Sequence, residues 1–65
     1  MTEEQKKTET VALMLNSLNE DNRNLCLQAG MDPEEVERNI QQSQQSLDFM
    51  LSNIYDKLKE VNIIA

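Results

Sequence analysis

The stretch Ala29-Gly30-Met31-Asp32-Pro33-Glu34-Glu35-Val36 decides the fold, because five local cues in it agree on a tight turn between two helices. Gly30 suits the left-handed C′ position that ends a helix, since it has no Cβ to clash there. Asp32 is placed to cap a second helix, Pro33 fits its first turn, and Glu35 stands where a capping box requires it. Met31 and Val36 occupy the N′ and N4 positions of a hydrophobic staple. Glu34 and Glu35 put negative charge at the positive end of the helix dipole.

Upstream of the turn, Val11, Leu15, Leu18, Asn22, Leu25 and Ala29 recur at alternating steps of four and three, which is one stripe on a helix. Thr2 and Gln5 have the spacing of a capping box at its start. The segment from Asn16 to Asn24 is rich in asparagine, a mediocre helix former. Either a continuous helix or one bent near Asn19–Asp21 fits it. Downstream, Val36, Ile40, Ser43, Leu47, Met50, Ile54 and Val61 form a matching stripe, widened by Leu51 and Leu58, and Asn62 marks the helix end. The pattern predicts helix 1 over about 3–29, a turn at 30–32 and helix 2 over about 33–61, in a single domain spanning 1–65.

The fold class expected is all-α, an antiparallel helical hairpin. Folding the chain at Met31 pairs positions whose numbers sum to about 62, setting Leu15 level with Leu47 and Val11 with Leu51. The core or dimer seam is then expected to hold Val11, Leu15, Leu18, Asn22, Leu25, Val36, Ile40, Leu47, Met50, Leu51, Ile54 and Leu58. A hairpin this thin covers one side of each stripe only. Two hairpins packed as a four-helix bundle cover both, so a homodimer is expected. A polar residue at a core position fixes register and oligomeric state, a role that Asn22 and Ser43 fit unless both reach water.

Composition removes most chemistry. The 65 residues include no histidine, one cysteine and one glycine. Neither a disulfide, a zinc site nor a nucleophilic dyad can be assembled within the chain, and there is no glycine-rich phosphate loop. No metal, no cofactor and no enzymatic activity are expected. Twelve acids against six bases give a net charge of −6, which nucleic-acid phosphate repels. No apolar run approaches a membrane span, and the N-terminal residues lack the apolar core of a signal peptide. With the lone Cys26 suited to a reducing compartment, the expected location is cytoplasmic, with no membrane partner.

What remains is surface. Leu13 and Leu27 point away from the first stripe, and Phe49 points away from the second, among Gln42, Gln45, Asn53 and Asp56. These three are candidate partner contacts, although scattered exposed apolar residues are ordinary. The acids gather near the turn, where Glu34 and Glu37 are candidates for meeting a basic partner; capping and solvation explain much of the same charge. Ile63-Ile64-Ala65 either folds back on the bundle or forms a tail. The function expected is a non-enzymatic protein–protein interaction module, a small acidic regulator or inhibitor. The alternative is a structural or assembly subunit that folds with an obligate helical partner, and a nucleic-acid-binding hairpin ranks third.

Overall fold

The computed structural model describes residues 2–64. It contains two helices, α1 (Glu3–Gln28) and α2 (Pro33–Glu60), and no strand among the described residues. They form a hairpin whose principal extents are 41 × 18 × 17 Å.

Each helix begins and ends for a local reason. Thr2 accepts a hydrogen bond from the Gln5 backbone N–H while its own N–H donates to the Gln5 side chain, so both halves of the capping box are made. At the other end, Gly30 adopts φ +87°, its N–H donates to the Leu27 carbonyl, and the Met31 N–H donates to the Cys26 carbonyl. That pair of bonds is a Schellman motif. Helix α2 ends the same way with a non-glycine residue: Asn62 has φ 62°, bonds to the Lys59 carbonyl, and is followed by an Ile63 N–H on the Leu58 carbonyl. Asparagine tolerates this backbone region better than most residues. One cue at the turn is corrected. Asp32 occupies the N-cap position, but its side chain makes no capping hydrogen bond, so the expected capping box with Glu35 is not formed. The asparagine-rich segment of α1 is helical throughout, with no break at Asn19–Asp21.

The seam follows a strict four-residue row on α1. Glu3 pairs with Lys59, and Lys7 donates to Asp56 at 3.0 Å. Val11 is buried in one cluster with Leu51 and Tyr55, against which Met14, Leu15 and Ile64 pack. Asn19 and Gln44 exchange two side-chain hydrogen bonds of 3.0 and 2.8 Å, and Arg23 donates to both carboxylate oxygens of Glu37 from its Nε and Nη2. The numbers in these polar pairs sum to 60–63, close to the 62 set by a fold at Met31. On α2 the facing row is Val36, Ile40 and Gln44, then, after one step of three, Leu47, Leu51, Tyr55 and Lys59.

Within one hairpin this row takes up only part of the expected core or dimer seam. An alternation of four and three selects Leu18, Asn22 and Leu25, whereas contacts that follow the i, i+4 ridge select Asn19 and Arg23. Leu18, Leu25, Met50 and Ile54 are accordingly 43%, 66%, 54% and 47% exposed, and Asn22 is exposed as well. Val11, Val36, Ile40 and Leu51 are buried as expected, while Leu15, Leu47 and Leu58 are half-buried. Val61 and Ala29, at the two C-caps, are exposed. Ser43 is half-buried, with its hydroxyl donating to the Ile40 carbonyl. Tyr55 joins the core unexpectedly, at 1% exposure. Ile64 folds back onto the cluster, and Ile63 remains exposed.

Candidate interaction surfaces

The apolar residues left outside the seam are not scattered at random. At 100° per residue, Met14, Leu18 and Asn22 lie about a quarter turn behind the α1 row that faces α2. Met50 and Ile54 lie about a quarter turn behind the corresponding row of α2. The helices run in opposite directions, so equal offsets of the same sense fall on the same side of the hairpin. These five residues therefore share one flank. A depression of about 360 Å³ lies along it, lined by Leu13, Met14, Ser17, Leu18 and Asp21 of α1 and by Leu51 of α2. Leu25, two positions past Arg23, is 66% exposed at the back of α1 nearer the turn. Asn22 accepts a weak bond from the Cys26 thiol at 3.4 Å, and its amide is otherwise presented to water among leucines.

The three apolar residues expected to contact a partner do not converge. Leu13 and Phe49 are 70% and 69% exposed and sit at the same height on the hairpin. Leu13 and Phe49 stand two positions before Leu15 and Leu51 of the facing rows, so each points outward from the back of its own helix; Leu13 also lines the depression. Leu27, at 42% exposure, lies near the turn. Among the described residues, Tyr55 is the one buried residue outside the expected seam, and its four-residue spacing from Leu47 and Leu51 is the signal that marks it.

At the turn, Glu34 and Glu37 line a shallow groove of about 450 Å³ with Pro33, Arg38 and Gln41. They are not equivalent. Glu37 accepts from Arg23, and that bond lowers its carboxyl pKa from the ordinary value and raises that of the guanidinium. Its charge is committed to the hairpin, while Glu34 is exposed. A second such pair closes the open end, where the hydrogen bond from Lys59 lowers the pKa of Glu3 and raises that of Lys59.

Among the described residues, no group of three His, Cys, Asp or Glu side chains is placed to hold a metal ion. No helix among them is long and apolar enough to cross a membrane. Known protein families, curated proteins and solved structures contain no match to the chain.

Proposed function

We propose that this chain is a non-enzymatic protein–protein interaction module, a small acidic regulator or inhibitor that works in the cytoplasm as a homodimer, with two hairpins making a four-helix bundle. The observation that carries the reading is the distribution of apolar side chains. Among the described residues, five hydrophobic ones are buried, whereas nine large ones are exposed. A chain this small has little core to hold it, and covering that surplus by association is the route open to it. The same surplus suits an assembly subunit that folds beside an obligate helical partner.

Sedimentation and thermal melts separate these readings. For the homodimer, the thermal midpoint rises with protein concentration, and a well-folded monomer at micromolar concentration overturns it. A chain that stays unfolded alone at every concentration supports the assembly subunit instead. For the partner, capture from lysate is compared between wild type and Phe49→Ala. Phe49 is 69% exposed, so its loss leaves helicity unchanged and, if it is an anchor, weakens capture by about 2 kcal/mol. Unchanged capture removes Phe49 from the partner surface. Direct nucleic-acid binding is tested by titration with DNA and RNA at two salt concentrations.

A further inference from the structure

We infer that a second copy of the chain docks on the flank formed by Met14, Leu18 and Asn22 of α1 with Met50 and Ile54 of α2. This rests on the homodimer reading above and adds the face that closes the dimer.

The area fits. The chain exposes 5049 Å², whereas a compact monomer of 7.5 kDa exposes about 4,250 Å² by the scaling of surface with mass. The excess is about 800 Å², which is also what each partner contributes to a standard interface.

The chemistry of the flank fits a copy of itself better than a partner of opposite charge. In a two-fold contact each patch meets the same patch, so any charge on it faces its own sign. Met14, Leu18, Asn22, Met50 and Ile54 are all uncharged, and the lining of the depression adds a single charge, Asp21, although the chain carries −6 overall. The one polar member is an amide, which both donates and accepts and so complements itself. The two methionines are unbranched and adapt to an irregular facing surface. The flank is also continuous with the core, since Met14 packs on the Val11, Leu51 and Tyr55 cluster and Leu51 lines the depression. Closing it over extends an existing core.

The test is sedimentation equilibrium of the full chain and three variants, with circular dichroism recorded on each. Met50→Glu and Leu18→Glu place a carboxylate on the docked face. Each raises the dimer dissociation constant by about 100-fold or more. Helicity is lost with the dimer on dilution and recovered at high protein concentration, because neither position is buried in one hairpin. Phe49→Glu, which points out from the back of α2 and away from α1, leaves the dissociation constant unchanged. Added salt tightens the wild-type dimer, because it screens the repulsion between two acidic copies and leaves the apolar contact intact. A wild-type chain that is monomeric throughout overturns the homodimer itself. A dimer that resists both Met50→Glu and Leu18→Glu, or that yields to Phe49→Glu instead, keeps the homodimer and overturns this face. A dimer weakened by salt overturns the apolar contact in favour of ion pairs.

Discussion

At the scale of single residues, Tyr55 holds the most instructive position. Its ring is buried at 1% exposure, and its hydroxyl is buried without a hydrogen-bond partner. The ring contributes packing to the Val11 and Leu51 cluster, whereas the hydroxyl has lost water and gained nothing in return. The two parts of the side chain therefore act in opposite directions. Tyr55→Phe is expected to hold or raise stability by about 1 kcal/mol, while Tyr55→Ala lowers it by about 3–5 kcal/mol. Urea midpoints at one fixed protein concentration read both. A clear loss from Tyr55→Phe shows instead that the hydroxyl acquires a partner when the chain associates. Gly30 is legible from sequence in a way that Tyr55 is not. Its role depends only on the backbone of its own turn, and a Cβ there meets nothing within 4 Å, so the constraint is φ +87° alone. Tyr55 depends on which way two helices are rotated, which no single residue announces.

At the scale of elements, the two helices are held in register by polar pairs set between apolar ones. Asn19 and Gln44 bond to each other in both directions, part-buried in the middle of the seam. Replacing one alone strands the other, so Asn19→Leu and Gln44→Leu are each expected to destabilise by about 1–3 kcal/mol. The double variant is expected to be close to wild type, and the coupling energy of the cycle measures the pair. An additive double variant shows that the amides do not act together. Arg23 and Glu37 give a pH signature. The carboxyl pKa is lowered in the folded chain by the bond from Arg23, so the pair stabilises at pH above the ordinary glutamate value and the gain is lost as pH falls through the folded value. The raised Arg23 pKa puts the opposite loss far into alkali. The difference in Tm between wild type and Glu37→Gln is thus expected to shrink on acidification below the ordinary value of 4.5; a difference that persists there means that the pair is not its source. The element boundaries were legible to within a residue, because caps and turn residues act locally. The rotation of the helices was not. Apolar residues on α1 are spread widely enough that an alternating four-and-three stripe and a four-residue row both collect several of them, and only the cross-helix pairs at Asn19 and Arg23 choose the second.

At the scale of the whole molecule, the separation of surfaces follows from that rotation. The stripe read as one seam divides into an intramolecular part, with Val11 and Leu15, a flank, with Leu18 and Asn22, and Leu25 at the back of α1. Sequence supplied the members and could not supply the division, since the division depends on α2. The polar pairs have a further consequence for how the chain comes together. The sequence distance bridged by successive pairs grows from 14 residues at Arg23–Glu37 to 25 at Asn19–Gln44, 49 at Lys7–Asp56 and 56 at Glu3–Lys59. None of these separations has to be closed as an open loop. Once Gly30 has turned the chain and Arg23 has met Glu37, at most eleven residues on each helix lie between one pair and the next, so each later closure costs the entropy of a shorter loop than the full sequence distance. The molecule closes as a zipper whose slider starts at Gly30. The Val11, Leu51 and Tyr55 cluster, far from that start, is the clasp that keeps the loose ends from running back open.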